Sequence, residues 1–107
     1  MNSNNLMKQV QKMQQKMQND LATAEQELAN MTVEGSAGGG SVKVVCTGSQ
    51  VVKSIHVSKD AVDPEDVETL EDLLMVAIND ALDKSRDLSS NRMGRIAAGL
   101  NLPPGLF

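Results

Sequence analysis

Cys46 and His56 are the one cysteine and the one histidine among 107 residues, so they are the first candidates for catalytic chemistry. A cysteine thiolate acts as a nucleophile when a base such as imidazole lies within hydrogen-bond reach. The strand register derived below separates these two side chains by about three residues and places them on opposite faces of a sheet. We therefore interpret Cys46 as a small core residue and His56 as an exposed strand residue, and we expect no enzyme.

Two further patterns invite a ligand interpretation. The glycine-rich run Gly35–Gly40 lacks the Lys-Ser/Thr pair and the following helix of a phosphate-binding loop, so it is interpreted as a turn. Residues 60–83 carry nine acidic side chains and no basic one, but no loop resembles a calcium site, which favours a solvated acidic face. No cluster of His and Cys has the spacing of a metal site. We expect no cofactor, no metal and no small-molecule substrate.

The basic residues are segregated at the two ends of the chain. The net charge of −4 disfavours a nucleic-acid partner, but a partner that touches part of the surface responds to local charge. Residues 1–19 contain three lysines and no acid, whereas residues 84–107 contain four basic residues against Asp87 alone. The candidate phosphate contacts are the basic strip, Lys8, Lys12 and Lys16, and the C-terminal basic group, Lys84, Arg86, Arg92 and Arg95. A solvated helix face is the alternative interpretation of the strip.

A long helix must position the basic strip. Apolar residues at steps of three and four predict one helix from about Asn4 to about Asn30, within residues 1–31. Such a helix is about 40 Å long, whereas a small sheet is about 20 Å long, so part of the helix must project or pack on a second subunit. The three lysines lie nearly opposite the apolar stripe, which comprises Leu6, Val10, Met13, Met17, Leu21, Ala24, Leu28 and Met31.

The following residues, 32–59, have the period-two pattern of a three-stranded antiparallel meander. The predicted strands are Thr32–Ala37, Ser41–Thr47 and Val51–Ser58. A two-residue turn at Gly38-Gly39 would place Val33 opposite Val44, and a second turn between Ser49 and Gln50 would place Val44 opposite Ile55. Both turns predict the same covered face, formed by Val33, Val42, Val44, Cys46, Ile55 and Val57.

A second helix lies within residues 63–90, from about Pro64 to about Leu88, with Asp63 as its N-cap. Residues 91–107 are predicted to be a basic C-terminal tail, with room for a short extra helical turn at Arg92–Ala98 that Gly94 and Gly99 interrupt. The end of the tail, Leu102–Phe107, is either mobile or a small apolar peg. The expected fold is therefore a single α+β domain, residues 1–107, with the order α-β-β-β-α.

The composition indicates a core built from aliphatic residues and methionine with almost no aromatic ones. The cysteine content fits a reducing compartment. The chain has seven Met, one Phe and no Trp or Tyr, so an oligomer would bury apolar surface that one copy leaves exposed. A single cysteine permits no internal disulfide. No apolar run resembles a signal peptide or a membrane span, so we expect a cytoplasmic protein without a membrane partner.

Several short motifs, taken in order, resemble the YbaB/EbfC family of bacterial nucleoid-associated proteins over most of the chain. They are Leu6-Met7-Lys8-Gln9, Gly35-Ser36-Ala37-Gly38, Val42-Lys43-Val44, Gly48, Leu70-Glu71-Asp72-Leu73, Asn79-Asp80-Ala81 and Leu102-Pro103-Pro104-Gly105. The third strand departs from the family, because Ile55–Asp60 does not end in the Ile-x-Ile-Asp-Pro-like sequence that the family often has.

This resemblance implies a tweezer-like homodimer that binds double-stranded DNA through its helical arms with little sequence preference. It implies a location in the nucleoid, a role in nucleoid organisation or gene regulation that includes altering the conformation of DNA, and no enzyme activity. The alternative is a protein-interaction adaptor whose Met-rich helix and basic ends bind an acidic protein partner. A steep fall of DNA affinity with salt separates these functions, since phosphate contacts release counterions.

Overall fold

A computed structural model describes residues 3–99 and confirms the predicted order of elements. The helices are α1 (Ser3–Asn30) and α2 (Val67–Gly99), and the strands are β1 (Thr32–Ala37), β2 (Val42–Thr47) and β3 (Val52–Val57). The strands form one antiparallel sheet in the order β1-β2-β3. Neither helix of the described residues combines the length and the apolar character needed to cross a membrane.

Helix α1 projects from the body of the protein, as its length predicts. Only Ala24 and Leu28 of its 28 residues are buried. The 16 residues before Asn19 therefore form an arm about 25 Å long, and the molecule measures 76 × 24 × 16 Å. Leu6, Val10 and Met13 of the apolar stripe remain exposed along this arm.

The second hairpin has the predicted register from Val42 to Val45 and then shifts by one residue, so that Cys46 pairs with Val52. The first hairpin is shifted by two residues. Val44 pairs with Ile55 as expected, whereas Val33 pairs with Cys46 instead of Val44. The shift arises because Ala37 and Val42 close a loop of four residues, in which Gly38, Gly39 and Gly40 all have positive φ. Side chains alternate with a period of two, so this even shift leaves the same residues facing the core.

Helix α2 packs across β1 and β2 and covers β3 poorly. Val42, Val44, Cys46, Ala77 and Ala81 are fully buried between the helix and the sheet. The prediction that Ile55 is equally covered is wrong: it is 47% exposed, although its partner on β2 is 0% exposed. The position of α2 over the other two strands explains the difference.

Glycine at position 35 allows α2 to lie this close to β1. A Cβ atom there would be 2.4 Å from the carbonyl oxygen of Ala77 and 2.3 Å from the backbone nitrogen of Ala81. Ser85, one turn further along the helix, is also fully buried. Its hydroxyl donates to the Thr47 carbonyl at 2.7 Å and accepts from the Gln50 N–H at 3.1 Å, so α2 also holds the β2–β3 turn.

Both ends of α2 differ from the prediction. The helix begins at Val67, not Pro64, because Asp66 is the residue whose carboxylate accepts the Thr69 N–H at 3.3 Å and its hydroxyl at 2.6 Å. Asp63 instead accepts the Glu65 N–H at 2.9 Å in the preceding turn.

Helix α2 also continues past Leu88 to Gly99, so residues 91–99 are helical where a tail was predicted. Serine, asparagine and glycine in this stretch disfavour a helix locally. Packing against α1 offsets that preference, since Arg92 and Ile96 line a cleft with Ala24 and Glu27. The predicted apolar peg or mobile tail, Leu102–Phe107, lies outside the described residues.

Candidate nucleic-acid interface

The basic strip lies on the projecting arm of α1. Lys8, Lys12 and Lys16 are all exposed, and their spacing of four residues separates them by about 6 Å along the helix axis. Lys16 forms an ion pair with Asp20 at 2.8 Å. Lys8 and Lys12 form no ion pair with any residue between 3 and 99, so their charges are available to an anion in solution.

Two members of the C-terminal basic group lie on the body of the protein and are paired with acids just before them in sequence. Lys84 Nζ lies 3.3 Å from Asp80 Oδ2 and donates to the Glu34 carbonyl at 2.9 Å. Arg86 lies 2.7 Å from Asp83. These pairs have the i,i+4 and i,i+3 spacings of neighbours on one helix face, so they were visible in the sequence.

Asp80 connects α2 to β1 as well as to Lys84. Its carboxylate accepts the Ser36 N–H at 3.1 Å. That hydrogen bond, with the Lys84 ammonium beside it, lowers the pKa of Asp80 below its ordinary value. A lowered pKa means that the ionised carboxylate stabilises the fold above the unfolded-state pKa, and that this contribution is lost as pH falls through the folded-state value. Asp80 is therefore a structural partner of β1, which sets Lys84 close to the sheet.

The remaining two basic residues are near the end of α2 and differ from each other. Arg95 is exposed and forms no ion pair among the described residues. Arg92 is half-buried and forms an ion pair with Glu27 of α1. The structure thus places three of the seven candidate residues, Lys8, Lys12 and Arg95, in solvent without an acidic partner among residues 3–99, and it pairs the other four.

The candidate catalytic residues are not brought together, as the sequence predicts. Cys46 is fully buried in the core, whereas His56 is exposed on the opposite sheet face and pairs with Lys43 across β2 and β3. Within residues 3–99, no group of three or more His, Cys, Asp or Glu side chains is arranged to hold a metal ion.

The chain is similar to known proteins over almost its whole length. Residues 1–100 match the YbaB/EbfC DNA-binding family. The chain belongs to this family. A nucleoid-associated protein of Pelotomaculum thermopropionicum is 49% identical over 106 residues, which cover 99% of this chain and 96% of that protein. A nucleoid-associated protein of Desulforamulus reducens is 54% identical with the same coverage of both chains.

The fold also occurs in a solved structure. The crystal structure of an uncharacterized protein from Helicobacter pylori matches 84% of this YbaB/EbfC chain and 95% of its own chain, with a TM-score of 0.76 and 20% identity. At that identity the likeness concerns the fold alone.

Sequence reasoning missed one residue at the candidate interface of this YbaB/EbfC protein, Glu27. It was not singled out because its partner, Arg92, is far away in sequence and belongs to a stretch predicted to be a tail. Only a contact between the two helices brings this carboxylate to the guanidinium. The one signal in the sequence is that Glu27 directly precedes Leu28, which belongs to the apolar stripe.

Proposed function

We propose that this YbaB/EbfC protein is a nucleoid-associated protein that binds double-stranded DNA as a homodimer with little sequence preference. The observation that carries the proposal is the arm of α1, which projects about 25 Å from the body and presents three exposed lysines, of which Lys16 is paired with Asp20 at the base of the arm. Membership of a DNA-binding family and the names of the relatives support the same function.

Lys8, Lys12 and Arg95 are proposed as the primary phosphate contacts because they are exposed and unpaired among residues 3–99. Lys16, Lys84 and Arg86 are proposed as secondary contacts. Their carboxylate partners are exposed (Asp83) or partly exposed (Asp20 and Asp80), and such accessible ion pairs contribute little free energy, so a phosphate can displace them. Phosphate contacts position a protein on the duplex and carry no base information, which accounts for weak sequence preference.

The acidic surface of the body supports a geometry in which DNA contacts the arm of α1 and not the body. Nine acidic residues between positions 60 and 83 lie on or near α2, and Asp60, Asp63 and Asp66 line one open cleft at its start. This surface repels a phosphate backbone, whereas the arm attracts it. DNA is therefore expected to lie along the basic arm and the end of α2, away from the sheet.

The homodimer is proposed from apolar surface that one chain leaves exposed. Val52 and Ile55 of β3 lie opposite Cys46 and Val44, which are fully buried, and Met75 of α2 is 56% exposed. A second copy that covers this side would remove apolar surface from water, at about 25 cal/mol per Å². Two chains also supply two arms, so we infer that binding changes the path of the duplex and contributes to nucleoid organisation or gene regulation.

We expect sedimentation equilibrium at micromolar concentration to give twice the mass of one chain. Replacing Ile55 with aspartate should shift the equilibrium toward the single chain, because a charge would then face the apolar contact. Lys43→Asp, an exposed change on the opposite sheet face, is the control and should leave the dimer intact. A wild-type protein that sediments as one chain would contradict the homodimer.

DNA binding is tested by a mobility-shift titration with mixed-sequence duplex between 50 and 200 mM salt. We expect affinity to fall by a factor of about 10³ or more over that range if about six phosphates are contacted. Affinities for unrelated duplexes should agree within about tenfold. Absence of duplex binding at low salt would contradict the proposed function and favour an adaptor that binds an acidic protein.

A further inference from the structure

The ion pair between Arg92 and Glu27 differs from the other ion pairs within residues 3–99. Those pairs, Lys16 with Asp20, Lys84 with Asp80 and Arg86 with Asp83, each join residues three or four apart on one helix. Arg92 and Glu27 belong to different helices and are separated by most of the chain. The Glu27 Oε2 atom is covered, although the Glu27 side chain as a whole is 41% exposed, and Arg92 is the one cation beside it among the described residues.

The pair lies in a cleft that opens to solvent. The cleft has a volume of about 160 Å³, and Thr23, Ala24 and Ile96 form its other walls with Asp20. The Arg92 side chain is 31% exposed, so part of it faces the solvent from which an anion approaches the end of α2. Arg95, three residues further along α2, is exposed and has no ion-pair partner within residues 3–99, and it adds positive charge close to this opening.

We infer that Glu27 is an internal competitor of DNA phosphate for Arg92, and that duplex binding exchanges the carboxylate for a phosphate. This inference rests on the proposed function. The guanidinium offers the same planar fork of N–H donors to a carboxylate and to a phosphate, so one occupant excludes the other. The carboxylate therefore lowers the affinity of the free protein for DNA, and Arg92 contributes to binding only after the inter-helix pair opens.

The exchange predicts a gain of affinity when Glu27 is replaced by its isosteric amide. In the full-length chain, Glu27→Gln should tighten binding to mixed-sequence duplex about threefold to tenfold and steepen the salt slope by about one unit per chain. Glu25→Gln is the matched control, since Glu25 lies on the same helix, is exposed and forms no ion pair with a described residue. Glu25→Gln removes the same charge without releasing Arg92. The gain in DNA affinity should therefore be smaller, and the slope of log affinity against log salt should be unchanged.

The Arg92→Gln background separates release of Arg92 from a simple loss of negative charge. There, adding Glu27→Gln should give no more affinity than adding Glu25→Gln. Equal gains for the two glutamines in the wild-type background, or a Glu27→Gln gain that persists without Arg92, would overturn the inference. A wild-type chain that binds no duplex overturns the proposed function as well, so the two failures are distinguishable.

Thermal melting followed by circular dichroism verifies that each variant is folded. Should Glu27→Gln unfold, Glu27→Asp replaces it, because it keeps the charge and retracts the carboxylate by one methylene. Its affinity should exceed that of the wild type. Affinity at or below that of the wild type would overturn the inference.

Discussion

Replacing Lys8 and Lys12 with glutamate should weaken binding to every duplex by about tenfold or more at 100 mM salt. Both side chains are exposed on the projecting arm and unpaired among the described residues, so each loses a phosphate contact and places a like charge against the backbone of DNA. The plot of log affinity against log salt should flatten by about two units per bound chain. A mobility-shift titration on several unrelated duplexes measures both quantities.

The control for this double variant is Lys43→Glu with Lys59→Glu, which changes the net charge by the same amount on the body of the protein. Both lysines are exposed, one on the outer sheet face and one in the turn after β3. We expect a small, uniform loss of affinity and an unchanged slope. The melting temperature of the arm variant should barely move, since exposed charges contribute little to stability. Equal losses of DNA affinity in the two double variants would show that the arm is not the main DNA-binding surface.

Replacing Gly35 with alanine should destabilise the fold by about 3 kcal/mol or more. The added Cβ would lie 2.3 Å from the Ala81 backbone nitrogen and 2.4 Å from the Ala77 carbonyl oxygen, and both are backbone atoms that cannot rotate away. Helix α2 would have to lift from β1, which exposes the buried faces of Val42 and Val44 to water. The melting temperature, followed by circular dichroism, should fall by about 10 °C or more.

Gly94→Ala is the control for Gly35→Ala, because it adds the same Cβ atom where there is open space. A Cβ at position 94 meets no atom within 4 Å, and the residue lies inside α2 without positive φ. We expect this variant to be more stable than the wild type by about 0.5–1 kcal/mol, because alanine restricts the unfolded chain and favours the helix. A Gly35→Ala protein with an unchanged melting temperature would show that α2 does not rest directly on β1.

The sequence by itself determined the number, type and order of the elements, because hydrophobic periodicity is a local property. The steps of three and four from Leu6 to Leu28 predicted α1, part of which had to project or pack on a second subunit. Alternation predicted three strands with Val42, Val44 and Cys46 on the covered face. It also predicted that Cys46 and His56 are separated, since they alternate onto opposite faces. The DNA-binding family was recognisable from short motifs in order, and the match over residues 1–100 confirms it.

The tertiary structure decided features that depend on contacts between distant residues. The first hairpin differs by two residues because the glycine loop is longer than a two-residue turn, and turn length is poorly determined when several glycines follow one another. Helix α2 extends to Gly99 because α1 supports residues whose own propensities oppose a helix. Local spacing and tertiary packing together decided which lysines and arginines have no acidic partner among the described residues. Asp80 and Asp83 were readable as partners of Lys84 and Arg86, whereas the partner of Arg92 exists only because two helices meet.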